Sequence, residues 1–123
     1  MFKPKILIVE DDKSLVKMIE SALDQEKFDV ILALDADDAV KKAVDQKPDI
    51  IVLDIMLPGK SGFECLKRIK AKKETKMIPT IILSNLGQTE EIKRGLDLGA
   101  IDYIVKANSS IDEVVEKIVK YLK

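Results

Sequence analysis

The chain alternates between two hydrophobic periods, and each change of period predicts a strand followed by a helix. Short continuous apolar runs, such as residues 5–10 and 48–56, are typical of strands covered on both faces. Between these runs, apolar residues recur three and four positions apart, as expected of helices with one buried face. The pattern predicts strands at residues 5–10, 28–34, 48–56, 78–84 and 101–106, with helices at 11–27, 35–47, 61–73, 88–100 and 109–123.

This alternation predicts an α/β fold in which a doubly wound, mostly parallel sheet carries helices on both faces. Residues 48–56 form the most hydrophobic strand, which we expect at the centre of the sheet. Two helix boundaries are also visible. Ser110 and Glu113 fit a capping box at the start of the last helix, and Gly99 is placed to end the fourth.

Composition narrows the class of protein. The 123 residues suit one domain, residues 1–123, with 46% hydrophobic and 35% charged residues. The net charge of −1, from 21 basic and 22 acidic residues, argues against a general binder of nucleic acid or anionic membranes. The chain contains no signal-peptide pattern and no apolar run near the roughly 20 residues that span a bilayer. We therefore expect a cytoplasmic protein.

Histidine is absent, which removes imidazole bases and imidazole metal ligands from this chain. The single cysteine, Cys65, excludes an intrachain disulfide, and a partly buried structural thiol is favoured over a reactive one. Any bound metal is therefore expected to be a hard cation held by oxygen atoms. The basic run at residues 67–76 is interpreted as a solvated helix end, with a docking patch for an acidic partner as the alternative.

Polar residues stand at the end of four of the five predicted strands. The first strand ends in three consecutive acids that begin at Glu10, the third in Asp54, the fourth in Ser84 and the fifth in Lys106. In a doubly wound sheet the carboxyl ends of the strands share one edge, where ligands bind. We therefore predict that these four segments form one site.

Adjacent carboxylates repel one another, so their presence at one site needs a physical explanation. Two of them about 4 Å apart repel by about 4 kcal/mol at an effective dielectric near 20, and a cation between them removes that cost. Mg²⁺ is the natural candidate because it takes few carboxylates and shares its other positions with phosphate oxygens. Capping of the following helix is the competing explanation, and it is favoured for Asp12 but not for Glu10 and Asp11.

The chemistry that fits such a site is phosphoryl transfer. Asp54 would act as a carboxylate nucleophile toward phosphorus and form an aspartyl phosphate. Lys106 would offset charge on the phosphoryl oxygens, and Ser84 would donate a hydrogen bond to one of them. Taken singly, Ser84 is more simply interpreted as a turn residue and Lys106 as a solvated lysine.

Four segments, "ILIVEDD", "PDIIVLDIMLPGKSG", "TIILSNLG" and "GAIDYIVK", resemble the signature blocks of receiver domains, the phosphoacceptor modules of two-component response regulators. The resemblance covers essentially the whole chain and is to the chemotaxis-regulator type. It implies a flavodoxin-like (βα)5 fold with a five-stranded parallel sheet in the order 2-1-3-4-5.

The resemblance also implies a role for each site residue. Asp54 would be the phosphorylated aspartate. Asp11 would bind Mg²⁺ directly and Glu10 through water, and Asp54 and the backbone carbonyl of Met56 would complete the protein ligands. Ser84 would be the switch hydroxyl, Tyr103 the switch aromatic residue and Lys106 the phosphate-binding lysine.

The implied function is a signalling switch. A partner histidine kinase or phosphotransfer protein would supply the phosphoryl group, and Tyr103 would turn inward after Asp54 is modified. The face formed by the fourth helix, fifth strand and fifth helix would then change its preference for a downstream protein or output domain. Direct contact with nucleic acid or membrane is not expected, and the domain would assist its own phosphorylation and dephosphorylation without being a turnover enzyme.

Two positions depart from the family pattern, and two other functions stay open. Ala107 follows Lys106 where the family usually has a cis proline, and the cost of a non-proline cis bond, about 3–4 kcal/mol, favours a trans bond here. Asn85 stands where the family often has alanine or glycine, and its larger amide could crowd the phosphoryl path or hydrogen-bond to the phosphate. A phosphorylation-independent interaction module is the first alternative. An aspartyl-nucleophile phosphohydrolase is the second, although Met56 stands where such enzymes carry a second acid.

Overall fold

The computed structural model describes residues 3–24 and 26–122, and five strands alternate with five α-helices along them. Gln25 and Lys123, which the sequence places in predicted helices, lie outside the described residues. No helix among the described residues is long and apolar enough to cross a membrane. The elements are β1 (Lys5–Val9), α1 (Lys13–Ala22), β2 (Asp29–Ala33), α2 (Ala36–Gln46), β3 (Ile50–Leu53), α3 (Gly62–Ala71), β4 (Thr80–Ser84), α4 (Thr89–Asp97), β5 (Asp102–Val105) and α5 (Ile111–Leu122), with a short 3₁₀ turn at Lys106–Asn108.

The five strands form one parallel sheet in the order β2-β1-β3-β4-β5. The predicted fold class and strand order are therefore confirmed, and β3 is the central strand. All four residues of β3 are buried, because helices cover both faces of the sheet. The register pairs Val9 with Leu53 and Ser84 with Val105, so the residues that follow these strands emerge at one edge.

The two faces of the sheet have separate cores. Helices α1 and α5 cover one face, where buried residues such as Ile19, Ile81 and Ile118 are aliphatic. Helices α2, α3 and α4 cover the other face, where small residues alternate with larger ones and with the rings of Phe63 and Tyr103. Because the strands are buried on both sides, the sheet is the rigid part that positions the loops at its edge.

Side chains that follow the strands also start the helices. Asp12 accepts hydrogen bonds from the backbone N–H groups of Ser14 (3.0 Å) and Leu15 (3.2 Å), which makes it the N-cap of α1. The predicted capping box of α5 is present, with Ser110 N–H donating to Glu113 Oε1 (3.1 Å) and Glu113 N–H to Ser110 Oγ (3.2 Å). Gly99 has a φ of +113° just beyond α4, as its predicted capping role requires.

Two glycines shape the loop between β3 and α3 for different reasons. Gly59 has a φ of +79°, a left-handed conformation that glycine adopts without strain. Gly62 is instead the first residue of α3, and a Cβ there would lie 2.2 Å from the backbone oxygen of Asp54. Gly62 is therefore required because α3 approaches the end of β3 so closely.

Candidate functional site

The ends of three strands bring two acids and one base together at the carboxyl edge of the sheet. Lys106 Nζ lies 2.7 Å from Glu10 Oε1 and 2.9 Å from Asp54 Oδ2. Glu10 and Asp54 are only 3% and 5% exposed. The backbone N–H of Met56 donates to the other Asp54 oxygen, Oδ1, at 3.1 Å. The structure thus places Asp54 between a cation and a backbone donor, as a charged oxygen nucleophile requires.

The two buried acids differ in their affinity for a proton. Burial raises the pKa of Glu10 to about 8, and a hydrogen bond with Asp54 adds to the shift. Burial alone would raise the pKa of Asp54 too, but hydrogen bonds from Glu10, Lys106 and the Met56 N–H lower it below its usual value. The same ion pairs outweigh burial at Lys106 and raise its pKa. Of the two buried acids, Asp54 therefore gives up its proton more readily.

A third acid completes an all-oxygen cluster at the same edge. One carboxylate oxygen from each of Glu10, Asp11 and Asp54 lies within 4.8 Å of the others, and Asp11 is exposed while the other two are buried. Glu10 Oε2 is buried and has no hydrogen-bond partner. A buried oxygen without a donor, beside two further carboxylates, fits a hard divalent cation, directly or through bound water.

Ser84 and Tyr103 are joined through the backbone of Leu86. Ser84 is fully buried, and its Oγ accepts a hydrogen bond from the Leu86 N–H at 3.3 Å. The Tyr103 hydroxyl donates to the Leu86 carbonyl oxygen. The ring is 8% exposed, so it already occupies the inward position that the resemblance implied for the modified protein. Burial, with the nearby charge of Glu91, raises the pKa of Tyr103, so the hydroxyl is a proton donor at neutral pH.

The remaining sequence-predicted residues surround this group. The side chain of Met56 is exposed, which leaves its backbone at the loop surface beside Asp54. Asn85 is also exposed. No cis peptide bond occurs among the described residues, so the Lys106–Ala107 bond is trans. This agrees with the expectation from the energy cost of a cis bond before a residue other than proline. The main chain turns instead through the 3₁₀ turn that starts at Lys106.

Two residues singled out in the sequence have structural roles. Cys65 is fully buried, and burial raises the pKa of its thiol to about 12, which confirms the structural interpretation. Within the basic run, Lys70 donates to the backbone carbonyls of Lys76 (3.1 Å) and Ile78 (2.9 Å) and so secures the turn after α3. That lysine is therefore not simply a solvated charge.

Three contacts of the site could not be assigned from the sequence. They are the carbonyl acceptor at Leu86, the close approach of Gly62 to Asp54, and a contact between Arg94 of α4 and Phe63 of α3. A backbone carbonyl carries no residue signature, and helical spacing does not show which residue of a neighbouring helix is touched. Only the glycine gave a signal, since it stood in a loop beside a predicted site residue.

The fold is that of a known class of domain. Residues 6–119 match the family model of the response regulator receiver domain, and the chain belongs to this family. Receiver domains are regulatory parts of two-component systems, as the sequence resemblance implied.

Similar proteins agree with this assignment. The chain is 40% identical over 107 residues to the phosphate regulon transcriptional regulatory protein PhoB of Rhizobium meliloti, covering 87% of this chain and 47% of PhoB. A response regulator from Chloroflexus aurantiacus superposes with a TM-score of 0.88 at 28% identity over 98% of both chains. The phosphorylated cyanobacterial phytochrome response regulator RcpA superposes with a TM-score of 0.80 at 30% identity, over 97% of this chain and 90% of RcpA. The chain spans less than half the length of the curated relatives it matches.

Proposed function

We propose that this chain is a phosphorylation-dependent switch in which Asp54 accepts a phosphoryl group from the phosphohistidine of a partner kinase or phosphotransfer protein. The observation that carries the proposal is the pairing of Asp54 with Lys106 at 2.9 Å inside a cluster of three acids, two of them buried. A purely structural ion pair would not need two further carboxylates, one of them with a buried oxygen that has no donor. In the transfer, an Asp54 oxygen forms a bond to phosphorus while the bond from phosphorus to the donor nitrogen breaks.

The residues of this chain divide the work of the reaction. Glu10, Asp11, Asp54 and the backbone carbonyl of Met56 would hold Mg²⁺, which when bound neutralises charge on the phosphoryl oxygens. Asp54 would supply the nucleophile, because it ends the central strand and lies between Lys106 Nζ (2.9 Å) and the Met56 N–H (3.1 Å). Lys106 can transfer its ion pair from the carboxylates to the new phosphoryl group, which leaves the lysine paired throughout.

The output of the switch would pass through Ser84 and Tyr103. A phosphoryl group on Asp54 carries roughly −1.5 to −2 charges in place of the single negative charge of the carboxylate, and the Ser84 hydroxyl can approach it as a hydrogen-bond donor. Ser84 and Tyr103 both hydrogen-bond to the backbone of Leu86. A movement at Ser84 would therefore reach the Tyr103 ring and the face formed by α4, β5 and α5. We propose that this face binds a downstream protein or an output domain, that residues 1–123 form the receiver unit, and that the domain is a regulator without steady turnover.

The deciding experiment compares Asp54→Asn with the wild type. Incubation with a small acyl-phosphate donor and Mg²⁺ is expected to add one phosphoryl group to the wild type and none to the variant, as read by intact mass. Asp49→Asn is the matched control. Asp49 is an acid at the opposite end of β3, where its side chain accepts from the Lys5 N–H, and this variant should still be modified. Modification of Asp54→Asn, or steady release of phosphate from a phosphate ester, would exclude the proposed acceptor role.

A further inference from the structure

Helix α4 lies between two aromatic rings, and consecutive residues of the helix make the two contacts. The guanidinium carbon of Arg94 lies 4.3 Å from the centroid of the Phe63 ring, over a residue that is 5% exposed. The next residue, Gly95, faces the other ring: a Cβ built there would lie 3.1 and 3.2 Å from Cδ2 and Cε2 of Tyr103 and 2.4 Å from Cδ1 of Ile82. The absence of a side chain at position 95 therefore allows Tyr103 to lie beneath the helix.

Each ring leads to a different part of the proposed acceptor site. Phe63 follows Gly62, whose backbone touches the Asp54 carbonyl and whose N–H donates to the Ile55 carbonyl at 2.8 Å. Tyr103 donates to the Leu86 carbonyl, and the N–H of Leu86 donates to Ser84. The position of α4 is thus linked to the backbone that carries Asp54 on one side and to the switch hydroxyl on the other.

From these contacts we infer that Arg94 and Gly95 are positioning residues of the switch, which hold α4 over Phe63 and Tyr103 and thereby set the affinity of Asp54 for a phosphoryl group. This inference rests on the proposed function. The cation–π contact of Arg94 favours α4 close to α3, and the bare backbone at Gly95 favours the inward ring. A substitution at either position is expected to change the balance between inward and outward positions of the Tyr103 ring without touching Asp54, Ser84 or Lys106.

The first measurement follows Tyr103 itself. The chain has two tyrosines and no tryptophan, so protein labelled with fluorotyrosine gives two fluorine NMR signals, and Tyr121→Phe assigns them. In Gly95→Ala the Tyr103 signal is expected to move toward that of an exposed tyrosine, because the new methyl group occupies the space of the ring. Lys93→Ala is the control, since Lys93 is an exposed residue of the same helix.

The second measurement is the affinity for beryllofluoride, a phosphoryl mimic, in the presence of Mg²⁺. Gly95→Ala is expected to weaken binding about five-fold or more, the range of an ordinary coupling between sites. Arg94→Ala should weaken it about two- to five-fold, the size of an exposed cation–π contact. Arg94→Lys, which keeps the cation, should restore most of the affinity, and Lys93→Ala should leave it unchanged.

Each outcome decides the inference. Unchanged affinity and an unmoved Tyr103 signal in a folded Gly95→Ala protein would overturn it while leaving the acceptor role intact. If Gly95→Ala does not fold, Arg94→Ala and Arg94→Lys decide, and equal affinities in these two variants would overturn the role of Arg94. If the wild type binds no beryllofluoride, the proposed function fails. In that case the position of Tyr103 is judged from the fluorine signals alone, and an unmoved Tyr103 signal in Gly95→Ala overturns the role of Gly95.

Discussion

Helices α3 and α4 cover the same face of the sheet but are held to it in different ways. Helix α3 buries five residues: Gly62, Phe63, Cys65, Leu66 and Ile69. The one buried residue among the described residues of α4 is Gly95, which has no side chain; Ile92 is partly buried, as is Leu98 just beyond the helix. The apolar area removed from water is therefore much larger for α3.

This difference matches what the two helices adjoin. Helix α3 begins against the backbone of Asp54, where a change in position would disturb the acid cluster. Helix α4 covers Tyr103 and belongs to the face proposed to change on phosphorylation. A helix that few buried side chains hold can move at low cost, whereas a helix with a full apolar face cannot. On the face that α3 and α4 share, we therefore expect α4 to move more readily than α3.

The largest expected difference in the free energy of unfolding is between two glycine-to-alanine substitutions, one in α3 and one in α4. In Gly62→Ala the methyl group would meet backbone atoms, at 2.2 Å from the Asp54 oxygen and 2.6 Å from Ile55 Cα. Backbone cannot rotate away, so we expect the free energy of unfolding to fall by about 3 kcal/mol or more. Gly95→Ala meets side chains and no backbone, namely the Ile82 methyl group and the Tyr103 ring, and it gains helix propensity, so a loss of about 1 kcal/mol is expected. Urea unfolding of both variants measures the difference, and equal losses would refute the contrast.

A pair of truncations tests the contrast through burial alone. Ile69 of α3 is fully buried, and Ile69→Ala should lower the free energy of unfolding by about 3 kcal/mol. Ile92 of α4 is only partly buried, and Ile92→Ala should cost about 1 kcal/mol. Both changes delete the same atoms from a helix, so each is the control for the other. A cost at Ile92 as large as that at Ile69 would show that α4 is held as firmly as α3.

The smallest expected effect concerns Mg²⁺, which should stabilise the end of the sheet where α3 starts. At a concentration ten times its dissociation constant, the ion should raise the free energy of unfolding by about 1.4 kcal/mol. Asp11→Asn should abolish the increase because it removes a ligand. Asp12→Asn should retain the increase, since asparagine also caps α1 and the neighbouring Asp11 is intact. Thermal unfolding with and without the ion makes the comparison, and a full response in Asp11→Asn would contradict the assignment.

Much of the framework could be predicted because its signals are local. Five changes of hydrophobic period predicted the five strand–helix units. The polar residues at the strand ends predicted a site that includes Glu10, Asp54 and Lys106, which the structure brings into contact. The predicted elements extend beyond the observed ones by one to several residues. Near each end, residues such as Asp12 cap the helix with a side chain and no longer follow its spacing.

The contacts of α4 could not be predicted for a physical reason. Periodicity shows that one face of a helix is apolar, but it does not show which ring lies beneath a particular residue. Gly95 has no apolar side chain, so it adds nothing to a hydrophobic pattern although it is the most buried residue of its helix. The bond from Tyr103 to Leu86 depends on the choice of rotamer and on a backbone carbonyl, neither of which the sequence specifies.

The ion pairs of Lys106 join distant parts of the chain, with Glu10 96 positions away and Asp54 52 positions away. A polypeptide still emerging from the ribosome therefore has the acids long before it has the base that completes the cluster. Its first strand and its last must both have joined the sheet before the three groups can meet. Whatever chemistry this edge performs therefore requires synthesis of the chain through Lys106 and incorporation of β1, β3 and β5 into the sheet.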